Sequence, residues 1–163
     1  MAAPDSPFAG FDRRRGATPE GWVSADRHTD VARLHLRLRS GPEAAGEGRH
    51  ALDWLAGALD DDRLGELRLL VTELVTNSIR HGTHPGDWIT LDVDIHPDAV
   101  RVVVRDRGPG FQATPNPEPN RDRPGGWGLF LVDRLADRWG IESDAGTTVW
   151  FEIDRGRRFA AAA

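Results

Sequence analysis

Glu73 and Asn77 stand four positions apart in Glu73-Leu74-Val75-Thr76-Asn77. That spacing puts a carboxylate and a carboxamide on one face of a helix, and Arg80 continues the face by another turn. The polar stripe runs beside the apolar stripe of Leu67, Leu70, Val71 and Leu74, at the edge of a core. Polar groups there need partners or a ligand. The plainer alternative is an exposed pair hydrogen-bonded to itself. A second group, Asp106-Arg107-Gly108-Pro109-Gly110, follows the apolar Val102-Val103-Val104 directly. An Asp at the end of a buried strand can accept from an exocyclic amine, and its glycines let backbone pass close to a flat ring or a phosphate. A simple turn is the alternative here. Third, Pro124-Gly125-Gly126-Trp127-Gly128-Leu129 opens an apolar helical pattern. Successive N–H groups at a helix start bind anions, helped by the helix dipole. A flexible hinge would look similar.

Composition removes several competing chemistries. The chain has 163 residues, and all 21 of its basic residues are arginine. Without lysine there is no Walker A loop and no Schiff base. Without cysteine there are no disulfides, thiolate metal sites or thiol nucleophiles. The net charge of -5 argues against a dedicated nucleic-acid binder, despite the local run Arg13-Arg14-Arg15. No apolar stretch approaches the roughly 20 residues of a membrane helix, and the N-terminus lacks an apolar signal region. The expectation is a cytoplasmic protein with no membrane partner. Gly108-Pro109-Gly110-Phe111-Gln112-Ala113 fits a dinucleotide fingerprint, but the prolines that follow forbid the required helix. No serine sits in a nucleophile elbow, and His81 and His84 lie in a turn rather than on one helical face.

The elements that must position these groups follow from periodicity. Residues 1–28 are rich in proline and glycine and read as a flexible arm. Val31 to Leu38 alternates as a strand, and Glu43 to Leu59 has helical spacing. Asp60-Asp61-Asp62 opens the strongest helix, from Leu64 to about His81, with Gly82 at its end. Trp88 to Ile95 and Val100 to Val104 form an antiparallel pair. The segment from Phe111 to Gly126 has no periodicity and several prolines, which marks it as functional or disordered. A helix from Trp127 to Trp139 and strands over Gly140–Ser143 and Gly146–Ile153 complete the domain. Trp54, Trp88, Trp139 and Trp150 are expected in the core. The prediction is one α+β domain over residues 29–154, with a tail at 155–163. It is a two-layer sandwich of a mixed, mostly antiparallel sheet with helices on one face.

In this order, the groups resemble the GHKL superfamily, the Bergerat ATP-binding fold shared by gyrase, histidine kinases and MutL. Glu73 to Asn77 resembles its N box. Asp106-x-Gly108-x-Gly110 and Gly126-x-Gly128 resemble its two glycine boxes, and Gly146-Thr147 its last box. The stretch from Glu73 to His81-Gly82 is most similar to the bacterial anti-sigma-factor serine kinases.

The resemblance implies ATP and Mg²⁺ as ligands. It implies that Asp106, with Thr147, receives the adenine amino group, and that Gly108 and Gly110 skirt the purine. Asn77 would ligate Mg²⁺, and Glu73 would be the general base. Residues 111–125 would form a lid, and backbone around Gly125, Gly126, Trp127, Gly128 and Leu129 would hold phosphates. Cationic help would come from Arg80, Arg121 or Arg123, since arginine binds phosphate bidentately. The implied function is a serine/threonine kinase that phosphorylates an anti-sigma factor antagonist or sequesters a sigma factor, without direct nucleic-acid contact. A homodimer is an expectation carried by the resemblance alone. The alternative is a non-catalytic ATP-binding module acting by protein binding. A histidine-kinase catalytic domain is disfavoured, for want of a phospho-accepting helical hairpin.

Overall fold

The computed structural model describes residues 21–26, 31–110 and 127–155, with backbone alone for 21–26 and 31. Its strands are β1 (Gly21–Asp26), β2 (Val31–Arg39), β3 (Trp88–Ile95), β4 (Ala99–Asp106), β5 (Arg138–Glu142) and β6 (Thr147–Asp154). They form one sheet in the order β1-β2-β3-β4-β6-β5. Every pairing is antiparallel. The helices are α1 (Ala44–Ala51), α2 (Asp61–Asn77) and α3 (Gly128–Leu135). This is the expected α+β sandwich, with the sheet antiparallel throughout among the described residues rather than mixed.

Alternation decides which sheet face the helices cover. Ile89, Leu91, Val93 and Ile95 of β3 are fully buried, while Trp88, Thr90, Asp92 and Asp94 between them are only half-buried. The buried set meets Leu67, Leu70, Val71 and Leu74 of α2, Leu52 and Leu55 after α1, and Val102 and Phe151 from neighbouring strands. Asp60 caps α2, its carboxylate accepting from Arg63 N at 2.8 Å. Asp61 and Asp62 in the first turn suit the positive end of the helix dipole.

Among the described residues, the opposite face carries charge rather than a second helical layer. Register places Arg33, His35 and Arg37 beside Asp94, Asp92 and Thr90, and Arg101 beside Glu152. Ion pairs follow that register: Arg33–Asp94 at 3.0 Å, Arg101–Glu152 at 2.6 Å and Arg138–Glu152 at 2.6 Å. Asp92 accepts from Arg105 and bonds His35 Nδ1. Trp88 and Trp150, expected in the core, lie on this face instead. Arg37 stacks over Trp88 at 4.4 Å and Arg101 over Trp150 at 4.2 Å, so cations cover the rings in place of a helix.

Other boundaries also moved. Residues 21–26, expected in the arm, form the edge strand β1 on β2. The first helix is shorter than Glu43–Leu59. It tightens to a 3-10 turn at Leu52–Leu55, and Gly57 then takes φ 91°. Helix α3 ends at Leu135, because Trp139 is drawn into β5 opposite Phe151. Arg155, expected to open the tail, donates to Ala58 O at 2.8 Å and His96 O at 2.9 Å. The rest of the arm, residues 1–20 and 27–28, and of the tail, residues 156–163, lies outside the described residues. No helix among the described residues is long and apolar enough to cross a membrane.

Candidate functional site

Helix α2 does not run on to His81. After Asn77 it widens into a π turn, Ser78–Gly82, so Arg80 sits in that turn rather than on a continued α-helical face. Such widenings occur often at functional sites. The turn carries Gly82 onto the end of β4. A Cβ on Gly82 would lie 2.3 Å from the carboxyl carbon of Asp106, and one on Gly108 would lie 2.4 Å from Gly82 Cα. Both positions therefore need glycine: the Asp106 carboxylate occupies the space of a side chain at 82, and the backbone of Gly82 occupies it at 108. Glycine at 82 reads in sequence as a helix stop; its packing against Asp106 has no local signal.

Asp106 Oδ1 accepts from Gly108 N at 2.8 Å. Its other oxygen takes no hydrogen bond among the described residues. Thr147 pairs with Asp106 across the β4–β6 ladder and is buried on the same face. Gly146 closes in from behind: it has φ 143°, and a Cβ there would lie 2.2 Å from Asp106 O. Gly110, at φ 76°, turns the chain away beside Ser143.

A second cluster joins α2 to α3. Glu73 and Asn77 are both half-buried, and Glu73 has no hydrogen-bond or ion-pair partner among the described residues. A Cβ on Gly128 would lie 2.3 Å from Asn77 Nδ2, so the Asn77 carboxamide meets the first turn of α3 directly. Among the described residues no side chain caps that helix start, and an uncapped start suits an anion. Trp127 is 42% exposed and packs edge-on to Phe130 at 5.8 Å. Leu129 is half-buried against the core, and Arg80 is exposed.

The structure thus gathers Asp106, Gly108 and Thr147 at the end of β4, and Asn77 and Gly128 where α2 meets α3, with Glu73 one turn before Asn77 on α2. Gly125, Gly126, the expected lid at 111–125, Arg121 and Arg123 lie outside the described residues. Among those described, no cluster of three or more His, Asp or Glu could hold a metal. A cation beside Asn77 would take most of its oxygens from phosphate and water, which suits Mg²⁺.

A family model described as Histidine kinase-like ATPase domain matches residues 38–153. The chain belongs to this family. Within it, the chain is 30% identical to Serine-protein kinase RsbW of Listeria innocua serovar 6a, over 72% of this chain and 83% of that one. It is 26% identical to Serine-protein kinase RsbW of Bacillus velezensis, over 74% of this chain and 84% of that protein. These likenesses group it with the serine-protein kinases of the ATPase family. The structure is similar to the histidine kinase domain from Erythrobacter litoralis EL346 blue-light activated histidine kinase, at 23% identity and a TM-score of 0.47. That likeness covers 69% of this chain and 59% of the other. The family's ATP use fits the close-packed glycines and, among the described residues, a carboxylate oxygen without a hydrogen bond and a helix start without a side-chain cap.

Proposed function

We propose that this protein is an ATP- and Mg²⁺-dependent serine/threonine kinase of the anti-sigma-factor type. Its substrate is a small anti-sigma-antagonist domain, its second partner a sigma factor, and its place of work the cytoplasm. The observation that carries the reading is the pairing of Glu73 with Asn77. One turn apart on α2, they place a carboxylate with no partner among the described residues beside a carboxamide that meets the start of α3. A module that only binds nucleotide has no use for that carboxylate.

The roles follow from the groups present. The free oxygen of Asp106 accepts the adenine 6-amino group, while the Gly108 amide holds the other oxygen still. The first-turn amides of α3 receive phosphate oxygens. Asn77 offers its carbonyl oxygen to Mg²⁺, which when bound neutralises charge on the phosphates. Glu73 accepts the proton of the attacking serine hydroxyl as the oxygen bonds to the γ-phosphorus. The bond to the bridging oxygen breaks and ADP leaves. Positioning and charge stabilisation supply most of the acceleration.

The test is incubation of the purified protein with γ-labelled ATP and an antagonist-type acceptor. Label is expected on an acceptor serine or threonine. Tight ATP binding with no label transferred to any such acceptor favours a regulatory module and overturns the kinase reading.

A further inference from the structure

We propose that Ser40 and Thr83 are positioning residues for adenine recognition, acting through a hydroxyl relay that fixes the π turn against Asp106. The inference rests on the reading of Asp106 as the adenine acceptor. Thr83 Oγ1 donates to the carbonyl of Ser78 at 3.0 Å. That carbonyl can only accept, so the single Thr83 proton is committed there. Ser40 Oγ, 2.6 Å from Thr83 Oγ1, must then be the donor to Thr83. The relay runs Ser40 to Thr83 to Ser78, with Ser40 and Ser78 both buried.

Each end is anchored differently. Ser40 follows β2, and its backbone is fixed by Ser40 N to Asp87 O at 2.7 Å and Gly86 N to Ser40 O at 3.2 Å. It therefore continues the β2–β3 pairing just beyond Arg39 and Trp88. Ser78 is the first residue of the π turn, and Thr83, in extended conformation, is the residue that ends it. The relay clamps the turn at both ends. Between them Gly82 rests on the Asp106 carboxylate, where its Cα leaves no room for a methyl group. The rotamer of Asp106 thus depends on where Gly82 lies, and that depends on the relay. A π turn has weaker hydrogen-bond geometry than the α-helix it interrupts and relaxes when a clamp is lost.

The experiment measures binding of ATP and of inosine triphosphate, which has an oxo group in place of the 6-amino group, to the full-length chain. It compares the wild type with Thr83→Val, Thr83→Ser and Ser40→Ala, each checked by its melting temperature. The wild type is expected to prefer ATP. In Thr83→Val the ATP Kd is expected to rise roughly fivefold, on the scale of one lost hydrogen bond, with the inosine nucleotide little changed. Thr83→Ser, which keeps the donor, should restore the preference. A merely structural loss would lower the melting temperature without changing the ratio of the two affinities. An unchanged ratio in a folded Thr83→Val overturns the relay while leaving the kinase reading intact. If Thr83→Val does not fold, Ser40→Ala decides: a reduced ratio supports the relay and a wild-type ratio overturns it. A wild type that does not distinguish the two nucleotides overturns the relay together with the adenine role of Asp106.

Discussion

Glu73 and Asp106 hold carboxylates in opposite situations. Glu73 has no partner among the described residues, whereas one oxygen of Asp106 is held by the Gly108 amide and its flank is packed by Gly82. The first suits a group that must receive a proton, the second a group that must read a shape. Glu73→Gln keeps the volume and removes the basicity. Phosphotransfer should fall by about 100-fold or more, with ATP affinity within about twofold of wild type, by labelled transfer and calorimetry. Gly82→Ala forces a methyl group into Asp106. The ATP Kd should rise about tenfold or more, and a titration matching wild type would remove Gly82 from the site. Glu73, Asn77, Asp106, Gly108 and Gly128 are legible in sequence as candidates because each group is local. The Ser40–Thr83 bond was not, because it joins residues 43 positions apart and hydroxyl residues carry no pattern of their own.

At the scale of elements, the long periodic segments were the most readable. Strands β3, β4 and β6 lie near their predicted bounds because each has a clear apolar face, and α2 does so at its start but gives way to the π turn at Ser78. Strand β1 was hidden: it is 6 residues long, at a sheet edge, next to a glycine- and proline-rich stretch. Trp139 misled as well, since an apolar residue at helical spacing can equally start a short strand. The cap at Asp60 makes a quantitative claim about α2. Asp60→Ala leaves the Arg63 amide without its acceptor and should cost about 1 kcal/mol in denaturant unfolding. No measurable loss would mean that water replaces the cap.

Across the whole molecule, the sheet separates two kinds of work. One face supplies the core and the candidate site, and the other balances charge. The Arg138 guanidinium, through its hydrogen bond, and then Arg101 hold the Glu152 carboxyl below its ordinary 4.5, against the opposing effect of burial. A depressed folded value contributes stability that is present above the unfolded value and lost as pH falls through the folded one. Wild-type stability should therefore decline with acid below about pH 4.5, and Glu152→Gln should flatten that part of the profile. Equal slopes in thermal melts across that range would show that the pairs on this face are fully screened.

Glu73 is half-exposed and has no partner among the described residues, and this carries a cost for fidelity. A base open to solvent accepts a proton from water as readily as from a serine, so the proposed kinase has a built-in leak. ATP alone should be turned over slowly to ADP and inorganic phosphate, and Glu73→Gln should stop that turnover too. A docked acceptor would shut the leak by displacing water from the base. The ratio of ADP formed to acceptor phosphorylated should then fall towards one as acceptor is added, so that the partner, rather than the nucleotide site, sets the economy of the reaction.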